Sequence, residues 1–191
     1  MYKKRLRKTV GMQIENTKFA GCVVITPKLF TDERGYFMES YRRSWMDSLN
    51  DFSGNFVQDN QSFSHYGTIR GLHFQDGEHA QAKLVRVLQG TIMDVVVDIR
   101  QASPTFGEKV YVVLSAENNQ QLWIPKGFAH GFSVLSETAL VCYKCDAYYN
   151  KSAEMGILPL DETLNIDWQI PKDKQRISEK DLLLPTFNKR D

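Results

Sequence analysis

The residues of this chain best suited to chemistry fall in three clusters. The first is Arg70-Gly-Leu-His-Phe-Gln75, followed by Gln81-Ala-Lys-Leu84. The second is Pro125-Lys-Gly-Phe-Ala-His-Gly131, which sets His130 between small residues. The third is Tyr143-Lys144, with Tyr148-Tyr149 beyond it. A neutral histidine is a sound general base near pH 7. A lysine stabilises the oxyanion that forms when a proton leaves the carbon beside a ketone. A tyrosine on the opposite side returns a proton. Each of these taken alone is more often a satisfied structural group. If His73 and Lys83 lie on adjacent short strands they converge on one cavity, and the set reads as a β-barrel that binds or transforms a small molecule.

Other chemistries lack their signatures. The chain has neither a G-x-x-x-x-G-K-[ST] nor a G-x-G-x-x-G phosphate loop, and no G-x-S-x-G nucleophile turn. The four histidines are His65, His73, His79 and His130, with no H-x-H pair, so the ligand count falls short of a barrel metal site. Three cysteines are an odd number, which argues against a disulfide framework. Cys142 and Cys145 form a C-x-x-C, but in a strand positions i and i+3 face opposite sides. They are expected to be small buried hydrophobes.

The elements that must position these residues read as β structure. Leu84–Leu88 and Thr91–Ile99, joined at Gln89-Gly90, look like two paired strands. Within the second, Met93, Val95, Val97 and Ile99 share one face, and Asp94, Val96 and Asp98 the other. That half-polar face suits a barrel interior that holds a ligand. Further strands are expected at 110–114, 122–124, 132–135 and 139–143, with turns at 103–107 and 125–127. Short strands with turn signals every ten or so residues predict an antiparallel sandwich or barrel. Helical signal is confined to 41–49, where Trp45 and Leu49 share a face, and to 178–182, where Ser178 caps with Asp181 three residues on.

Composition fits this picture. A chain of 191 residues, 42% hydrophobic and 25% charged, makes one globular domain of ordinary size. The net charge of +1 rules against a general polyanion-coating role, so nucleic acid is not an expected partner. The balance is uneven. Residues 1–11 hold five of the 24 basic residues and no acid, leaving 19 against 23 acidic residues and a net of −4 beyond. This leader is expected to be a disordered or appended extension, with Met12 as an alternative start and 12–191 as the single domain. No apolar run reaches a membrane-spanning length or forms a signal-peptide core, so a cytoplasmic protein with no membrane partner is expected.

Seven segments together carry a resemblance. They are Phe30–Glu39 (FTDERGYFME), Phe56–Asn60 (FVQDN), Ile69–Gln75 (IRGLHFQ), Asp94–Arg100 (DVVVDIR), Ser103–Gly107 (SPTFG), Leu122–Phe132 (LWIPKGFAHGF) and Ser178–Asp181 (SEKD). In order and spacing they resemble the dTDP-4-dehydrorhamnose 3,5-epimerase family, over about residues 13 to 187. The stretch Gly156-Ile-Leu-Pro-Leu-Asp161 departs from the family's pattern. The resemblance implies a mainly β, cupin-like jelly roll with a few short helices that forms a homodimer and uses no metal or cofactor. It implies epimerisation at C3 and C5 of a dTDP-4-keto-6-deoxyhexose through an enolate, in dTDP-L-rhamnose biosynthesis. By the same resemblance His73 is the base, Asp181 its orienting carboxylate, Lys83 the enolate stabiliser and Tyr143 the acid. Arg34 and Arg70 fall to the diphosphate, and Tyr149 to the thymine. Glu39, Gln58, Asp59, Asn60, His130, Glu154 and Lys180 fall where the family contacts nucleotide or sugar, with a supporting role for His130 as the other reading. The alternatives are a single-position epimerase, a 3,4-ketoisomerase sharing the barrel, and a non-catalytic sugar-nucleotide binding module.

Overall fold

The stretch between residues 58 and 145 carries eight strands joined by turns and loops, and the segments on either side pack against it. The structure is a computed structural model and describes residues 6–9, 11–47, 49, 52 and 54–187. In chain order the first elements are β1 (Leu6–Thr9), β2 (Met12–Asn16), β3 (Val23–Pro27), β4 (Phe30–Asp32), β5 (Gly35–Phe37) and α1 (Arg43–Met46). The central strands follow: β6 (Gln58–His65), β7 (Thr68–Gln75), β8 (Lys83–Gln89), β9 (Thr91–Asp98) and β10 (Lys109–Ser115). Then come β11 (Gln121–Ile124), β12 (Phe128–Val134), β13 (Thr138–Cys145), β14 (Glu154–Gly156), β15 (Arg176–Ile177) and α2 (Glu179–Leu182). One sheet has the order β1-β2-β3-β11-β8-β13-β6 and the other β10-β9-β12-β7-β14, with β15 parallel to β7. The two sheets face one another as a jelly-roll sandwich. β4 and β5 pair only with each other.

This topology corrects the expected hairpin. β8 and β9 both exist at the expected places, but β8 pairs with β11 and β13 while β9 pairs with β10 and β12. The Gln89-Gly90 link is a corner from one sheet to the other. Gly90 has φ +78°, and a Cβ there would stand 2.0 Å from the Thr138 carbonyl oxygen. The Ser136 hydroxyl accepts from Thr91 N–H at 2.8 Å and fixes the corner from the far side.

The predicted division of β9 into two faces holds. Its inner face contributes Ile92 and Val96 to an apolar cluster with Val85, Leu114, Leu122, Phe132, Val134 and Val141. Its outer face contributes Met93, Val95 and Val97 to a second cluster with Ile69, Leu72, Leu164, Trp168 and Phe187. The C-terminal chain therefore covers that sheet. The departing segment 156–161 takes part in this cover: Asp161 is buried and accepts from Leu164 N–H at 2.7 Å and Phe187 N–H at 2.8 Å. Asp98 is buried but serves the fold, accepting from Arg100, Ser103 and Thr105 at 2.6–2.9 Å.

Two expectations at the start of the chain change. Only Arg43–Met46 of the 41–49 stretch is helical; Arg42 makes no capping bond, and a helix start without a cap is weak. Trp45, Met46 and Leu49 are nevertheless buried against Trp123 and Leu84. Leu6–Thr9, within the leader expected to be disordered, pairs antiparallel with Met12–Glu15 as an edge strand. Residues 1–5 and 10 of that leader lie outside the described residues.

Candidate active site

The apolar filling of the sandwich takes no residue from β6 or β7. There a cavity of about 330 Å³ opens, lined by Ser62 of β6, Arg70 and His73 of β7, Lys83 of β8, His130 of β12, Tyr143 of β13, and Ser178, Lys180 and Asp181. His73 and Lys83 thus meet as expected. They do so across the sandwich, from opposite sheets, and not from adjacent strands.

Strict alternation would put Arg70 and His73 on opposite faces of β7. The register with β12 shifts between His130↔His73 and Phe132↔Arg70, so β7 spans the same distance with one more residue. This bulge turns both side chains to the cavity. It demands glycine on both strands: a Cβ on Gly71, where φ is +116°, would lie 2.6 Å from Gly131 Cα, and one on Gly131 would lie 2.6 Å from the Arg70 oxygen.

Three local features bring Asp181 to His73. β15 pairs in parallel with Thr68-Ile69 and lays the following residues across β7. The Ser178 hydroxyl accepts from Asp181 N–H at 3.1 Å, capping α2 as predicted. Gly71 N–H donates to Asp181 Oδ2 at 3.4 Å. The other carboxylate oxygen then stands 2.7 Å from His73 Nε2. Burial acts to raise the Asp181 carboxyl, but the His73 ring and the Gly71 and Ser178 hydrogen bonds outweigh it and hold the group below the ordinary aspartate value. His130, register partner of His73, places its Nε2 2.9 Å from Asp94 Oδ2, deep between the sheets.

Lys83 and Tyr143 face this pair. Burial pulls the Lys83 ammonium below an ordinary lysine, against the pull of Cys145, Asp94 and Glu154. Burial likewise pushes the Tyr143 phenol up, so it keeps its proton at neutral pH. Lys83 Nζ stands 5.9 Å from the Tyr143 ring centroid. Cys145 lies beside them and, as expected, on the opposite face from Cys142; burial pushes its thiol up to about 11. All three cysteines are free.

The binding residues named from the sequence divide into groups. Arg70 lines the cavity, its Nε donating to the Ser64 hydroxyl at 3.0 Å. Lys180 lines it too and pairs with Glu154 at 2.8 Å, while the Tyr149 hydroxyl donates to the same Glu154 at 2.9 Å. Gln58 and Asn60 bond each other at 3.0 Å, Gln58 accepts from Tyr149 N–H, and Asn60 reaches Cys145 Sγ at 3.6 Å. Asp59, between them, points the other way and pairs with Lys144 at 2.9 Å, in a separate hollow lined also by Gln61 and Arg86. Asn60 and Tyr143 line that hollow as well, and of the three residues 58–60 none lines the cavity of His73. Arg34 and Glu39 do not line the cavity either. Arg34 is exposed on the β4–β5 hairpin and bonds Asp32, and Glu39 pairs with Arg42. Three further residues belong to this geometry: Ser62 lines the cavity, Ser64 holds Arg70 and Asp94 holds His130. The period-two run Gln58-Asn60-Ser62-Ser64 signals the first two, and the half-polar face of β9 signals the third.

Among the described residues no three His, Cys, Asp or Glu side chains gather as a metal cluster, and no helix is long and apolar enough to cross a membrane.

Comparison with known proteins bears on this geometry. The model of a family described as dTDP-4-dehydrorhamnose 3,5-epimerase matches residues 16–189. The dTDP-4-dehydrorhamnose 3,5-epimerase of Shigella flexneri is 48% identical over 90% of this chain and 93% of its own length. The crystal structure of the enzyme of that name from Elizabethkingia anophelis superposes with a TM-score of 0.89 at 50% identity, covering 93% of this chain and 97% of the other. The epimerase from Legionella pneumophila, solved in complex with dTDP-4-keto-L-rhamnose, gives a TM-score of 0.85 at 46% identity, covering 93% and 100%.

Proposed function

Because the chain belongs to the dTDP-4-dehydrorhamnose 3,5-epimerase family, and is thus an isomerase of nucleotide-linked sugars, we propose that its cavity inverts C3 and C5 of a dTDP-4-keto-6-deoxyhexose in dTDP-L-rhamnose biosynthesis, with His73 and Tyr143 as the two proton carriers. The observation that carries this reading is the pairing of His73 with Asp181 in a cavity shared with Lys83 and Tyr143. Both carbons flank the C4 ketone, so each gives up its proton to form an enolate. With Asp181 ionised, His73 Nε2 carries the hydrogen it donates to that carboxylate, and Nδ1 is left as the base. The imidazolium formed on proton abstraction is stabilised by the same carboxylate. Lys83, its ammonium partly desolvated by burial, holds the enolate oxygen and supplies charge where charge develops. Tyr143, kept as a phenol by burial, delivers a proton from the far face. His130, held by Asp94, lines the wall beside His73 and steadies the sugar.

Substrate binding follows the placement of the polar groups. Arg70 turns its guanidinium to the diphosphate: Ser64 holds Nε and the Phe63 carbonyl takes only a long 3.5 Å bond from Nη2, so Nη1 is left for a phosphoryl oxygen. Lys180, Glu154 and the exposed Tyr149 ring form the rim toward the base, with Gln58 and Asn60 beside them. Arg34 and Glu39 enter through a second copy of the chain. In one protomer they stand apart from the cavity, on or beside a hairpin that exposes Phe30, Tyr36 and Phe37 at 51–66%. A homodimer that docks this hairpin on its partner covers those rings and brings Arg34 to a diphosphate. The protein acts in the cytoplasm.

The test is proton exchange. The protein is incubated with dTDP-4-keto-6-deoxyglucose in deuterated water and C3 and C5 are read by NMR. Deuterium at both carbons is expected. Deuterium at one carbon makes the protein a single-position epimerase, and deuterium at neither defeats the reading.

A further inference from the structure

The inner face of β6 presents Gln58, Asn60, Ser62 and Ser64 in succession, and three of these have partners in the chain. Gln58 bonds Asn60 and Tyr149, Asn60 reaches Cys145, and Ser64 takes Arg70 Nε. Ser62 does not: its hydroxyl is buried and has no hydrogen-bond partner among the described residues. A buried hydroxyl left unpaired is destabilising, so its presence needs an explanation. Its cross-strand neighbour is Val141, which offers no polar side chain, and the residue lines the same cavity as Arg70, Lys83 and Tyr143.

We propose that Ser62 is a further substrate-binding residue, whose hydroxyl donates to an oxygen of the diphosphate gripped by Arg70. This rests on the reading that Arg70 binds the diphosphate. Two observations direct Ser62 to that end of the substrate. The next inward residue on the strand, Ser64, already holds Arg70, so Ser62 and the guanidinium share one corner of the cavity. And a serine hydroxyl swings between staggered rotamers at little cost, which brings the unpaired Oγ to the cavity surface. A hydroxyl beside a guanidinium complements a phosphoryl oxygen, because charge-assisted bonds are shorter and stronger than neutral ones.

The experiment titrates dTDP, without any sugar, into the wild-type protein, Ser62→Ala and Arg70→Ala by calorimetry, with thermal unfolding run alongside. Ser62→Ala is expected to weaken dTDP binding roughly tenfold or more while the unfolding midpoint stays close to wild type. In turnover the same variant is expected to raise KM more than it lowers kcat. If Arg70→Ala loses affinity and Ser62→Ala does not, the proposal is overturned and the diphosphate reading stands. If Arg70→Ala binds as wild type, the diphosphate reading fails and the proposal falls with it. If Ser62→Ala is too unstable to titrate, Ser62→Cys fills the same space with a weak donor and must show the loss. Wild-type affinity in that variant overturns the proposal.

Discussion

Two histidine–aspartate pairs sit side by side on neighbouring strands, and they differ chiefly in what surrounds them. His73 meets Asp181 at 2.7 Å and His130 meets Asp94 at 2.9 Å, and the two rings are register partners between β7 and β12. The His73 side chain is one-third exposed, at 33%, whereas that of His130 is 9% exposed and that of Asp94 is fully buried. A base must reach its substrate and exchange its proton, and of the two rings His73 is the one open to do so. The deeper pair is buried between the sheets and shows the cavity only the edge of His130. Under the function proposed above, the same two residue types serve proton transfer in one place and shape in the other.

The contrast can be broken most sharply at the rings. Replacing His73 with Ala is expected to lower kcat by roughly 10²–10⁴-fold, the ordinary contribution of general acid–base catalysis, while dTDP still binds. Tyr143→Phe should separate the two halves of the reaction. Exchange of the substrate proton with deuterated solvent continues, but inverted product falls by a comparable factor, roughly 10²–10⁴.

At the carboxylates the two pairs should part. Asp181→Asn is expected to cost turnover roughly tenfold to a hundredfold, with only a small loss of stability because His73 can turn to solvent. Asp94→Ala is expected to lower stability by about 3 kcal/mol, since it strands a buried polar ring. Denaturant titrations of the two variants, set against their rates, check this. Equal stability losses would erase the distinction drawn here.

The smallest expected effect concerns a third buried aspartate, one that takes no part in the site. Burial alone would raise Asp98, but the Arg100 guanidinium and the Ser103 and Thr105 hydroxyls overcome it and bring the group down to about 2 from 3.8. A carboxylate depressed on folding stabilises the fold fully above its unfolded value and loses that contribution as pH falls through the folded one. The protein should therefore lose about 2 kcal/mol between pH 4 and pH 2 from this group alone. Asp98→Asn should flatten that part of a stability-against-pH curve and be less stable than wild type at pH 7.

Much of this architecture can be read in the sequence, and the exceptions have physical causes. Period-two alternation locates the central strands and both faces of β9, because burying one face of a sheet enforces it. Alternation says nothing about which strand pairs with which, so Leu84–Ile99 reads as a hairpin when its glycine in fact turns a corner between sheets. In the site, His73, Lys83, Tyr143 and Asp181 converge as the residue types and the family resemblance lead one to expect. Asp59, which the resemblance places with Gln58 and Asn60, points to the opposite face of β6 and pairs with Lys144. The bulge that lets Arg70 and His73 share a face arises from Gly71 meeting Gly131, a contact between positions 60 residues apart that no local pattern reports. Arg34 and Glu39 lie outside the cavity of the single chain, because their segment folds as a separate hairpin and the turn beyond it, a placement that no local pattern reports.

The division of labour between the two histidines is tested most directly by solvent-deuterium incorporation in His73→Ala, measured at C3 and C5 with dTDP binding confirmed on the same sample. The account predicts binding with no incorporation at either carbon. Incorporation at the wild-type rate, at either position, would show that His73 is not the base.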